Sequence, residues 1–117
     1  MSELGLEPIM LADLIEEIDE DMVPIVFESF LEDTAENLEA IEKAISDAKG
    51  DQLRKQAHKL KGCLISVRAQ NASLLAKKLE SYGDSSEFAA AGSLIAELRA
   101  EYDKVIEFIK SYLAKQA

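Results

Sequence analysis

Apolar side chains recur along this chain at intervals of three and four, the spacing that lines one face of a 3.6-residue helix, and no stretch alternates in the manner of a half-buried strand. Leu11, Leu14, Ile15, Ile18 and Met22 trace a short amphipathic segment after Pro8, a residue suited to a first helical turn, which predicts a capping helix over 8–20. Phe27, Phe30, Thr34, Leu38, Ile41 and Ile45 form one stripe and predict a single long helix over 24–48, ended by Gly50. Asp51 is suited to cap the next helix, predicted over 51–67, with Leu53, Ala57, Leu60, Leu64 and Val67 facing inward. A helix over 71–82 turns Leu74, Leu75, Leu79 and Tyr82 inward and stops at Gly83, where the stretch GDSS, 83–86, is the clearest loop. Phe88, Leu94, Ile95, Leu98, Tyr102, Val105, Ile109 and Leu113 carry the last helix over 86–115.

Short connections between successive long helices make antiparallel neighbours. The expected architecture is therefore all-α: an up-down-up-down four-helix bundle with an N-terminal capping helix, one domain over 1–117. Heptads shared between chains offer an oligomeric coiled coil as the alternative, against which the turn signals at Gly50 and Gly83 count. Apolar residues make up 48% of the chain, enough for a real core, and two prolines with five glycines leave little room for linkers.

Composition also removes several chemistries. No apolar run approaches the ~20 residues needed to cross a bilayer, and the acidic start MSELGLEPIM lacks the basic and apolar regions of a secretory signal, so the cytoplasm is the expected compartment. One cysteine cannot form an internal disulfide, and with one histidine it falls short of a zinc ligand set; no metal is expected. A chain that starts with methionine and carries a full set of helices reads as a stand-alone domain.

Charge is divided unevenly. Residues 1–50 hold 15 acidic and 2 basic side chains, residues 51–117 hold 8 and 11, and the whole has a net charge of −10. Arg54, Lys55, Lys59, Lys61 and Arg68 gather within 51–68 against Asp51 alone. Nucleic acid would need a wider positive footprint; a small anionic group or an acidic pocket on another protein fits this one.

The only histidine, His58, lies inside that cluster. At 100° per residue it projects roughly 140° from the middle of its helix's apolar stripe, towards water. Arg54, Lys55, Lys61 and Gly62 share its face, three or four residues away. Cations so placed oppose an added proton and favour the neutral, nucleophilic ring, and they can balance a phosphoryl group once the ring carries one. Gly62, in a helix where glycine costs about 1 kcal/mol relative to alanine, leaves space beside the ring. Ile65 falls within about 20° of His58 on the wheel and should be exposed, a dry contact for a docking partner that Arg54, Lys55 and Lys59 would steer.

The stretch AHKLKG, 57–62, resembles the signature of histidine-containing phosphotransfer (HPt) domains of bacterial two-component relays. VFESFLEDTAENLEAIEKAI is similar to the family's first bundle helix, and LLAKKLE to the helix beside its histidine helix, so the resemblance spans nearly the whole chain. It implies that His58 accepts a phosphoryl group from a receiver-domain aspartate and passes it to another. Lys61 would then pair with the transferred oxygens, Gly62 would keep the approach open, and Glu80 would accept from the ring's Nδ1–H and leave Nε2 free. Lys77, one turn before Glu80, would extend the positive patch.

Three positions depart from the family pattern. Cys63 and Leu64 follow Gly62 where two small residues are common, and Arg68 precedes Ala69 where a glycine is common. If the chain turns at Arg68 with positive φ, arginine bears strain there; otherwise the helix continues, or the guanidinium reaches the docking surface. The chain has no glycine-rich phosphate loop and no nucleotide fold, so it is expected neither to bind ATP nor to phosphorylate itself; the resemblance implies a carrier, with Mg²⁺ on the partner receiver and no cofactor of its own. Its partners would be response-regulator receiver domains, a hybrid sensor kinase, or both; no nucleic acid, no membrane and a monomeric state are expected. A phosphorylation-independent helical adaptor and a plain oligomerisation module are the alternatives.

Overall fold

A computed structural model describes residues 8–116, and the described residues contain helices and no strand. In chain order these are α1 (Leu11–Glu17), a 3₁₀ turn (Glu20–Met22), α2 (Val23–Thr34), α3 (Asn37–Ser46), α4 (Gly50–Ser66), α5 (Gln70–Ser85) and α6 (Phe88–Gln116). Neighbouring helices run antiparallel wherever cross-contacts define a direction. Gly50 meets Gly83 and His58 meets Glu80 between α4 and α5, while Phe27 stacks edge-on to Tyr112 and Glu42 pairs with Arg99 between α2–α3 and α6.

The predicted stripes supply the core. Phe27, Ile41, Leu53, Leu60, Leu64, Leu79, Leu98 and Ile109 are fully buried, so each helix removes one apolar face from water, the main source of stability in such a fold. Leu74 is an exception among the inward-assigned residues: it is exposed, and Ala72 and Ala76 take the contact face of α5 instead. Met22, assigned to the N-terminal stripe, is also exposed.

The single helix expected over 24–48 is two helices, interrupted at Ala35–Glu36. Three polar contacts flank the break, two of them on carbonyls of α2 and the third tying α3 to α4. Thr34 Oγ1 donates to the Phe30 carbonyl at 2.8 Å, the Tyr102 hydroxyl reaches the Thr34 carbonyl at 3.3 Å, and buried Asn37 donates from Nδ2 to the Gln56 carbonyl at 3.1 Å. Side chains that bond helix carbonyls compete with the i→i−4 ladder and bend or open it.

The N-terminal helix is shorter than the expected 8–20. Pro8 lies in a bend outside it, Ile9 is fully buried, and α1 ends at Glu17. Its start is fixed by the Met10 amide, which donates to the Arg68 carbonyl at 2.9 Å.

The glycines do not make the turns. Gly50 is the first residue of α4, and Lys49, without a side-chain cap bond, stands at the N-cap in place of Asp51. Gly83 is buried within α5, which continues through most of the expected GDSS loop to Ser85. The chain instead turns at Ala48, Arg68 and Ser86, with φ of 55°, 62° and 59°. After α3 and α4 the same pair of bonds closes the helix: Lys49 N to Ala44 O with Ala48 N to Ile45 O, and Ala69 N to Leu64 O with Arg68 N to Ile65 O. These are Schellman closures built on non-glycine residues. Gly50 and Gly83 are needed elsewhere, because a Cβ on Gly83 would lie 2.6 Å from the Arg54 amide nitrogen and one on Gly50 would lie 2.6 Å from the Gly83 carbonyl oxygen. They let α4 and α5 cross backbone to backbone.

Candidate functional site

Helix α4 buries Leu53, Ala57, Leu60 and Leu64, which turns His58 outward; its side chain is 65% exposed. Glu80 projects from α5 towards it. Glu80 Oε2 lies 2.9 Å from His58 Nδ1, and the second carboxylate oxygen, Oε1, lies 2.8 Å from Lys61 Nζ. A carboxylate oxygen only accepts, so Nδ1 is the nitrogen that donates in this contact, and a neutral ring in that tautomer keeps its lone pair on Nε2. The Lys61 ammonium, and less strongly the His58 ring, hold the Glu80 carboxyl below its usual range against a smaller opposing effect of burial.

Arg54, Lys61, Lys77, Glu80, Ser81 and Asp84 line one cleft of ≈ 410 Å³ at the α4–α5 seam beside the ring. Gly62 sits on the exposed face one turn from His58, and a Cβ there would meet nothing within 4 Å. Ile65 is 46% exposed, and Lys55 is exposed three residues before the ring. Lys59 belongs to the other flank: its charge acts on Cys63, as does that of Asp33 on α2, while burial pushes the Cys63 thiol up.

Arg68 resolves the three possibilities left open by the sequence. The backbone turns there with positive φ, and its guanidinium pairs with Glu17 on α1 and donates to the Ile65 carbonyl at 3.4 Å. It is a latch between α1 and the α4–α5 turn and offers no free cation to a visitor.

Asp84 in the cleft lies beyond the helix end expected at residue 82, and Ser81, inside the expected helix, has no charge to mark it. With α5 extended to Ser85, Lys77, Ser81 and Asp84 follow one another at helical spacing on the face that carries Glu80. The Glu17 partner of Arg68 had no signal in the spacing. Among the described residues no three His, Cys, Asp or Glu side chains gather as a metal site, and no helix is long and apolar enough to cross a membrane.

Residues 26–108 match the family model described as the Hpt domain. The chain is also similar to a solved structure, histidine-containing phosphotransfer protein B (HptB) from Pseudomonas aeruginosa PAO1: 28% sequence identity, TM-score 0.80, covering 90% of each chain. No curated protein matches.

Proposed function

The chain belongs to the Hpt domain family, whose members carry phosphoryl groups in two-component signalling without a kinase activity of their own, and on that footing we propose that His58 is its phosphorylated residue. The observation that carries this reading is the outward ring whose Nδ1 is held by Glu80. With Nδ1–H engaged, the Nε2 lone pair attacks the phosphorus of a receiver's aspartyl phosphate in line. A P–N bond forms as the P–O bond to the aspartyl carboxylate breaks, and the carboxylate leaves with the electron pair. Donation to a second receiver aspartate reverses these steps. The incoming oxygens compete with Glu80 for the Lys61 ammonium, which neutralises the charge that the phosphoryl group brings.

Mg²⁺ in this scheme belongs to the receiver's acidic pocket, and the chain itself takes no cofactor. Receiver domains dock over Gly62 and Ile65, with Arg54, Lys55 and Lys77 attracting their acidic rims. Lys59 contributes to long-range attraction from its separate flank. The antiparallel pairings of α2–α3, α4, α5 and α6 support an up-down-up-down four-helix bundle, with α1 as its N-terminal cap. A cytoplasmic monomer fits this role.

Incubation with a phosphorylated receiver domain tests the proposal. The chain should acquire acid-labile label, and His58→Gln should remove all of it while leaving the helical circular dichroism unchanged. Label that persists on the folded His58→Gln variant, or no label on the wild-type chain from any receiver, would overturn it.

A further inference from the structure

The surface around His58 changes electrostatic sign along the direction of α4, because α1 adds a carboxylate beside its C-terminal end. On the N-terminal side of His58 stand Arg54 and Lys55, with Lys61 one turn beyond the ring and Lys77 of α5 lining the same cleft as Arg54 and Lys61. On the C-terminal side, Ile65 lies seven residues from His58, which is about 10 Å along the helix. There it borders a small cleft of ≈ 170 Å³ shared with Met10 and Asp13 of the N-terminal segment and with Gln70 and Ser73 of α5. Arg68 also lines this cleft, but its charge is matched by Glu17. Asp13 is exposed and forms no ion pair among the described residues. The cleft therefore combines an apolar wall, Ile65 and Met10, with one uncompensated carboxylate. Its position is fixed by the Met10 amide bond to the Arg68 carbonyl and by the Arg68–Glu17 pair.

We propose that this cleft is a second contact point for the receiver, taking a lysine or arginine from the receiver's surface about 10 Å from its phosphorylated aspartate. The inference rests on the carrier reading of His58. The side chain's aliphatic stem lies over Ile65 and Met10 and its charged head meets Asp13, the usual arrangement for a long basic residue at an apolar edge. A receiver then meets cations where its acidic pocket must go and an anion where its basic residue must go. One docked orientation is selected, and a receiver lacking that basic residue is disfavoured.

The test uses a receiver domain from the same genome, chosen because it labels the wild-type chain. Its second-order transfer rate to His58 is compared among the wild type, Asp13→Asn, Asp13→Lys and Asp103→Lys, the last making the same charge change on an exposed residue of α6. At low salt Asp13→Asn should slow transfer about threefold and Asp13→Lys about tenfold, both gaps narrowing as salt is added, while Asp103→Lys stays within about twofold of wild type. Equal rates for wild type and both Asp13 variants would overturn the inference and leave the carrier reading intact. So would an equal loss in Asp103→Lys, which would mark a general effect of net charge. No receiver able to label the wild-type chain would bring down both.

Discussion

Gly50 and Gly62 lie on the same helix in opposite circumstances. A methyl group on the first would sit 2.6 Å from the Gly83 carbonyl oxygen, whereas on the second it would meet nothing within 4 Å. At the Gly50 end, α4 and α5 approach so closely that their backbones touch, and the crossing fixes how the two helices lie. Around Gly62 the same helix stands clear, and the absent side chain leaves room in front of the ring. One residue type thus serves packing at one end and, under the proposed docking, access at the other. Substitutions at the two ends should accordingly register in different measurements.

The largest effect is expected at the closed end. Gly83→Ala forces a Cβ against the Arg54 backbone, 2.6 Å from its nitrogen and 2.9 Å from its Cα, where no flexible side chain can yield. Overpacking of this kind should cost about 2 kcal/mol, after the small gain in helix propensity, and appear as a lower urea midpoint at unchanged m-value. An unaltered midpoint would mean that the helices part without penalty.

At the open end the prediction reverses. Gly62→Leu should raise stability by up to about 1 kcal/mol through helix propensity alone. Receiver-to-His58 transfer should meanwhile fall on the order of tenfold, the equivalent of about 1.4 kcal/mol at the transition state, because the isobutyl group occupies the approach. Transfer at the wild-type rate would show that Gly62 clears nothing that matters.

The smallest effect concerns the carboxylate at that open end. Glu80 is held below its ordinary value of 4.5 in the folded chain, chiefly by Lys61. Its contribution to stability is therefore complete above the unfolded carboxylate value and is lost as pH falls through the depressed folded value. Between about pH 5 and pH 3 the wild type should lose more stability than Glu80→Gln, by about 1 kcal/mol or less for this half-buried pair. Parallel acid limbs in urea titrations would remove Glu80 from the stability of the site.

Helix-forming segments and the outward direction of His58 were legible in the spacing, because both depend only on which residues a helix must bury. Local signals failed where tertiary contacts decide. At the break at Ala35–Glu36, Tyr102, far along the chain, reaches the Thr34 carbonyl, and just beyond it Asn37 is tied to Gln56 of α4. Gly50 and Gly83 read as turn punctuation, although each answers to the other across a helix crossing and the turns fall to Ala48, Arg68 and Ser86. At the site, the resemblance suggested that Glu80 could orient the ring. That one carboxylate also binds Lys61 follows only from the packing of α5 on α4.

The outward ring has a consequence in time. With the His58 side chain 65% exposed, the described residues would not shelter a phosphoryl group on Nε2 from water. Under the proposed role such a carrier would make a poor reservoir: the dwell of its cargo would be limited by how soon the next aspartate arrives, so the abundance of receivers, more than any shielding by the bundle, would set the memory of the relay.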